Sequence, residues 1–360
     1  MFKIFHELKF AMKIFSLFLI LLSTTIFSCT PLLHLNKIQS DRRIKKTEAQ
    51  NFTGLKAVTQ WWYYDCVFED GSVLVFLFTP YQWWSTEEKK SINKSLFYFS
   101  YMNSLGEVIS SRKVFDVAEI QYDVNSIKAS SFEIIKDHEK NSRNYLINFF
   151  LDSLKGTLKI TSSEKGFSPF PRGSMSSTIA SIFKHKSKGV AIRYAAHIPG
   201  GSAQFNIEFK DSVIELKGCA YHEQGWFTGT PDQMGSGWTW FHFVSKNINI
   251  FGTAGQFLYL EKKDVFQIGG LTKKCSLNET TYLKEKNNLL IGGKLTFNSK
   301  KLSFSLTPTG KPPTPLIFMP SFDTNQLWGT VLQETTINFM NKKTELNEGG
   351  ILFLETCRMR

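Results

Sequence analysis

The chain has 360 residues, with 43 Lys and Arg against 31 Asp and Glu for a net charge of +12, and 14% of it is aromatic, with 33 Phe, 11 Tyr and 8 Trp. The basic residues are scattered rather than gathered into a stripe, which argues against a nucleic-acid partner. There is no C-x-x-C pair to hold structural zinc, no phosphate-cradling glycine loop, no G-x-S-x-G and no dinucleotide fingerprint.

The first 28 residues have the layout of a secretory signal. Lys3, Lys9 and Lys13 form a basic start, Ile14 to Leu22 an apolar core, and Ser23, Thr24 and Thr25 a small polar end. The apolar run is shorter than the roughly 20 residues a spanning helix needs. Met12-Lys13 would itself open a compact signal. Ile26-Phe27-Ser28-Cys29 is similar to a lipoprotein cleavage box, which makes Cys29 the expected lipidation site. Acyl chains there would contribute about 0.8 kcal/mol per buried CH₂ to membrane attachment. The reading is therefore of an exported protein of the cell envelope. Residues 29–54 read as a tether, and Arg42, Arg43, Lys45 and Lys46 within it can rest against anionic head groups.

Beyond the tether, strand signals follow one another. Trp61 to Phe68 is β-branched and aromatic, Asp70-Gly71 turns, and Val73 to Phe78 returns. Further strands are expected at Leu96 to Tyr101, Tyr145 to Phe150 and Thr157 to Thr161. Residues 162–189, rich in Ser, Gly, Pro and Lys, interrupt the pattern, with Ser176 to Lys184 as a short helix candidate. Strands resume at Phe205 to Phe209, Val213 to Leu216, Trp238 to Val244 and Phe257 to Leu260. Leu295 to Leu306 is a hairpin about Asn298-Ser299, and Ile351 to Glu355 closes the series. Many short strands between turn residues indicate an all-β protein of barrels or sandwiches. No repeat is visible residue by residue. Cys66, Cys219, Cys275 and Cys357 allow up to two disulfides, or remain buried thiols.

Two segments concentrate chemically capable residues. One is Gln60-Trp61-Trp62-Tyr63-Tyr64-Asp65. The other is Gly218-Cys219-Ala220-Tyr221-His222-Glu223-Gln224-Gly225-Trp226, followed by Trp238, Trp240 and His242. In an extended conformation, Tyr221, Glu223 and Gly225 share one row, and Trp238, Trp240 and His242 another. His222-Glu223 is no zincin start, because Trp226 stands where the second His belongs.

These segments resemble those of the AttH / hydroxyneurosporene synthase family, which carries an early W-W-Y and a central G-x-x-Y-H-[DE]-x-x-W. Ile198-Pro199-Gly200-Gly201 and Gly349 to Glu355 support the likeness, which runs from about residue 55 to the C-terminus. Hydratase members read Y-H-D-H-N-W-G. Here Glu223 takes the acid's place, Gln224 that of the second His, Gly225 that of the Asn, and Phe227 stands where Gly is usual. The resemblance implies two tandem lipocalin-like antiparallel β-barrels, 55–225 and 226–360. It also implies cofactor-free hydration, isomerisation or cyclisation of an isoprenoid or other lipid-like substrate, with no metal.

Alkene hydration needs an acid strong enough to protonate carbon, a dry pocket and a stabilised cation. A carboxyl in an apolar barrel can stay protonated near neutrality. Glu223 or Asp65 fits that role, with Tyr221 beside it and His222 as proton partner or water activator. Trp61, Trp62, Tyr63, Trp226, Trp238, Trp240 and His242 are the expected substrate-facing set, the indoles stabilising positive charge through their faces. The alternative is a non-catalytic envelope lipoprotein that holds a lipid in its barrel.

Overall fold

The computed structural model describes residues 59–358, apart from short loop pieces and the stretches 176–191, 228–236, 283–289, 310–313 and 320–325. The signal, Cys29, the tether and the helix candidate therefore lie outside the described residues, as do the side chains of Trp226, Cys275 and Cys357. What is described is almost wholly strand, in two curled antiparallel sheets that form two lipocalin-like barrels.

The first sheet opens with Thr59–Phe68 and closes with Ser212–Phe227, which lie side by side in antiparallel register. Outward from the opening strand come Val73–Thr79, Lys94–Met102 and Val108–Asp116. Outward from the closing strand come Ile192–Phe209, Leu154–Ser162, Arg143–Leu151 and Phe132–Asp137. The second sheet repeats this plan. Gly237–Ser245 opens it and Glu345–Arg358 closes it, again as neighbours. Ile248–Thr253 and Phe257–Lys262 follow the opening strand, and Gln326–Asn341 flanks the closing one. A repeat invisible in the residues is thus plain in the strand order.

The predicted strands all fall within observed ones, and two prove to be ends of much longer elements. Phe205 to Phe209 finishes the 18-residue strand Ile192–Phe209, and Val213 to Leu216 begins the 16-residue strand Ser212–Phe227. Pro199-Gly200-Gly201 explains why the first was not read whole. The register shifts there, between Ala196 and Gly201, as a bulge. A Cβ at Gly201 would lie 2.9 Å from the Thr161 carbonyl, so only glycine permits this approach.

Strand alternation sends one face of the first sheet into its own barrel, where Phe76, Phe97, Phe99, Phe132, Phe149 and Phe205 pack ring against ring. The second barrel has an aliphatic and Phe core of its own. The opposite faces of the opening and closing strands meet in a third cluster shared by both barrels, which includes Tyr63, Tyr194, Tyr221, Trp240, Phe251 and Phe353. We call this region the seam.

Candidate functional site

Alternation along the closing strand splits the Tyr221 to Gln224 motif between two places. Tyr221 and Glu223 enter the seam, whereas His222 and Gln224 enter the first barrel. There His222 stacks on Tyr64 at 3.9 Å and meets the edge of Tyr145 at 4.6 Å. Its Nδ1–H donates to the Tyr63 carbonyl at 2.9 Å, since a carbonyl can only accept. His222 and Glu223 are therefore not brought together, contrary to the proton pairing expected from their adjacency. Trp62 is likewise on the barrel side, 5.7 Å from His222 and under the Lys136 ammonium.

The seam gathers Trp61, Tyr63, Asp65, Tyr221, Glu223, Trp238, Trp240 and His242 of the expected set, and adds Tyr194, Asn249 and Glu355. Glu223 is its centre. Trp61 Nε1–H donates to Oε1 at 2.9 Å, while the Tyr194 and Tyr221 hydroxyls lie 2.5 and 2.6 Å from Oε2. Those two hydroxyls are also 2.6 Å from each other. Three mutual contacts between three oxygens require three protons. The phenols supply two, since burial pushes both far above the usual phenol range. With both phenols placed to donate to Oε2, a protonated Glu223 would supply the third and close the ring, each O–H then donating to the next. An ionised Glu223 would leave one short O···O contact without a hydrogen. Burial raises the Glu223 carboxyl, against hydrogen bonds from Tyr194, Tyr221 and Trp61 that would favour its charged form. The same groups thus satisfy the acid and can receive its anion.

Gly225 makes the indole bond possible. A Cβ there would sit 2.1 Å from the Trp61 ring. Gly225→Ala is expected to drive Trp61 off Glu223, changing the intrinsic fluorescence and costing about 1–3 kcal/mol in urea unfolding. Unaltered emission and stability would contradict this packing.

Asp65 and His242 join the barrels. His242 Nδ1 lies 2.9 and 3.0 Å from the two Asp65 oxygens, and both side chains are buried. Asn249 Nδ2–H donates to the Pro199 carbonyl at 2.5 Å, which turns Oδ1 toward His242 Nε2 at 2.9 Å. Nε2 must then carry a hydrogen, and one further proton is shared between Nδ1 and Asp65. Burial raises the Asp65 carboxyl, opposed by the His242 charge and hydrogen bond and by the Tyr63 hydroxyl. Asp65 is thus committed to a bridge.

Glu355 accepts from Trp238 Nε1–H at 2.7 Å and is pushed up to about 7, chiefly by burial, with the indole opposing. It lines a cavity of about 10 Å³ with Tyr63, Trp240, Leu316 and Phe353. That is room for about one water molecule. A larger cleft of about 430 Å³ opens on the far side of His242 and Asn249. It is walled by hydroxyl side chains, including Thr161, Ser162 and Ser202, with Glu164 and Glu261. Among the described residues no group of three or more His, Cys, Asp or Glu could hold a metal.

Reasoning from the sequence missed three members of the seam. Glu355 shares a row with Ile351 and Phe353 in a predicted strand, so alternation offered a signal for it. Tyr194 and Asn249 lie in segments without strand predictions, and nothing singled them out.

No family model and no curated protein sequence matches the chain. Its fold, however, is found in solved structures. An AttH-named protein of Nitrosomonas europaea superposes with TM-score 0.56 at 14% identity, over 82% of this chain and 92% of that one. Kievitone hydratase of Nectria haematococca gives 0.54 at 11%, over 85% and 93%. CghA, solved with Sch210972, gives 0.51 at 10%, over 84% and 88%. The chain is similar to these proteins across nearly their whole length, and shares with them the fold of two lipocalin-like barrels.

Proposed function

We propose that this protein is a cofactor-free acid–base catalyst that acts on an apolar, isoprenoid- or polyketide-like molecule at the seam, by hydration, isomerisation or cyclisation. The observation that carries the reading is the buried Glu223 carboxyl, held by two phenols and an indole amid aromatic rings. A neutral acid in such a place can protonate a carbon or an oxygen, and the three donors left behind hold its anion. Trp61, Trp240 and Tyr63 are the rings whose faces can stabilise developing positive charge. The names of two structural neighbours, a hydratase and a protein solved with a bound small molecule, are in keeping with this. The test is to purify the mature protein from its own envelope extract and identify bound lipids by mass spectrometry. A substrate–product pair differing by water, or a pair of isomers, supports catalysis, and a single unmodified lipid opposes it.

The signal-like start and Cys29 support export and lipid anchoring, which would hold the seam beside a bilayer where apolar substrates concentrate. Cys29→Ser is expected to move the protein from the membrane to the soluble fraction of lysed cells. Persistence in the membrane fraction, unchanged by high salt, would count against the anchor.

A further inference from the structure

The cleft beyond His242 and Asn249 has about 430 Å³, within the range of small-molecule sites. It is separate from the Glu223 centre, because His242 stands between them. The His242 ring packs on Tyr221 at 4.7 Å and also lines the cleft.

Both barrels build this cleft. The first gives Thr161 to Glu164 and the Gly200-Gly201 bulge, and the second gives Ser245, Asn249 and Glu261. The barrels come close at Gly200, where a Cβ would stand 3.1 Å from Asn249 Nδ2 and 3.5 Å from Glu261 Oε2. Two carboxyl-bearing segments are held in place. Arg143 Nη1–H donates to the Glu164 carbonyl and the Glu164 N–H to Ser162 Oγ, each at 3.1 Å. The Tyr259 hydroxyl, itself buried, donates to Glu261 Oε2 at 3.4 Å.

The wall of the cleft is rich in acceptors. A hydroxyl has one proton, and four of the lining hydroxyls spend theirs on the protein. Ser142 donates to Asn144 Oδ1 at 2.9 Å and Ser162 to the Gly200 carbonyl at 2.6 Å. Ser202 donates to the Thr161 carbonyl and Ser245 to the Ile248 carbonyl, each at 3.3 Å. What these four offer a ligand is lone pairs. Asn249 and His242 are likewise committed, to Pro199, to Asp65 and to each other. Glu164 and Glu261 add carboxyl groups, whose ionised form only accepts. Among the described residues lining the cleft there is no Lys or Arg, in a chain of net charge +12.

We propose that the cleft binds an organic amine through its ammonium group. An ammonium brings three N–H donors, no acceptor, and a charge opposite to that of Glu164 and Glu261. An anion would meet acceptors of like charge, and a neutral polyol would find few donors for its own oxygens. Ala220, Val244 and Ile248 supply apolar wall for the carbon chain of the amine. Binding here needs no catalysis at the seam, so occupancy of the cleft and turnover by Glu223 stand or fall separately. Free amines and the ethanolamine head of a lipid carry the same ammonium, and the test separates these two sources.

Cys219 is an exposed free thiol in the cleft wall, so its reaction with methyl methanethiosulfonate, located by peptide mass spectrometry, reports occupancy. The probe is 1,6-diaminohexane, with 1,6-hexanediol as its uncharged control. At low salt the diamine should slow labelling of Cys219 at least about fivefold and the diol should not, and added salt should restore the rate. Glu164→Gln and Glu261→Gln keep volume at half-buried positions, so the fold should survive them. Each should raise the diamine concentration for half protection at least about tenfold. Vesicles of phosphatidylethanolamine are compared with phosphatidylcholine, whose head group has no N–H. Protection by the first alone assigns the site to a lipid head group, and protection by the diamine without the lipid assigns it to a free amine. Failure of both amines to protect Cys219, equal protection by the diol, or wild-type protection in both variants would overturn the proposal.

Discussion

Glu223→Gln is expected to lower turnover by about 10³-fold, the middle of the range that a positioned general acid contributes. The substitution is nearly isosteric, and the amide oxygen can still accept from Trp61 or from a phenol. What it removes is the transferable proton. The loss should fall on kcat, with substrate binding within a few-fold of wild type, because the aromatic walls of the seam remain. Steady-state kinetics with binding measured separately checks this. An equal loss in kcat and in affinity would instead mark Glu223 as a structural strut. Replacing Tyr194 and Tyr221 with Phe should give smaller losses, since each removes one member of the proton ring and leaves the acid.

Asp65→Ala is expected to destabilise the protein by about 3 kcal/mol at neutral pH, the scale seen when one partner of a buried ion pair is removed. Asn249 holds a hydrogen on His242 Nε2, so the imidazole left behind must either carry an unpaired buried charge or present a bare Nδ1 to an apolar wall. Urea unfolding gives the size of the effect. A double-mutant cycle with His242→Ala should return a coupling above about 1 kcal/mol, as for residues in direct contact. Additive effects would mean that the bridge does not hold the barrels together. Because Asp65 and His242 join the two barrels across the seam, their loss should loosen the seam before it loosens either barrel core.

Much of the strand content was legible because period-two burial writes itself into sequence, as in Arg143–Leu151, where every second residue is buried. The same rule placed Tyr221 with Glu223, and Trp238 with Trp240 and His242, on rows that both face the seam. Applied one residue further, it also places His222 on the opposite face from Glu223, since neighbours in a strand point apart. The contacts that bridge the barrels were not legible. Asp65 and His242 are 177 residues apart, and no local pattern names such a partner. The duplication was hidden for a related reason. Equivalent places in the two opening strands differ in identity, Asp65 against His242 and Tyr63 against Trp240, so only the register reveals them. The long strand Ile192–Phe209 was obscured by the Pro-Gly-Gly bulge, and with it Tyr194.

That Glu223 gives its proton to a bound apolar molecule is tested most directly in D₂O. The protein is incubated there with an apolar extract of the cells that make it, followed by mass spectrometry against Glu223→Gln. The expected result is at least one apolar species that gains deuterium, or the mass of D₂O, with the wild type and not with the variant. An extract unchanged by the wild type, or changed equally by both proteins, would contradict this role for Glu223.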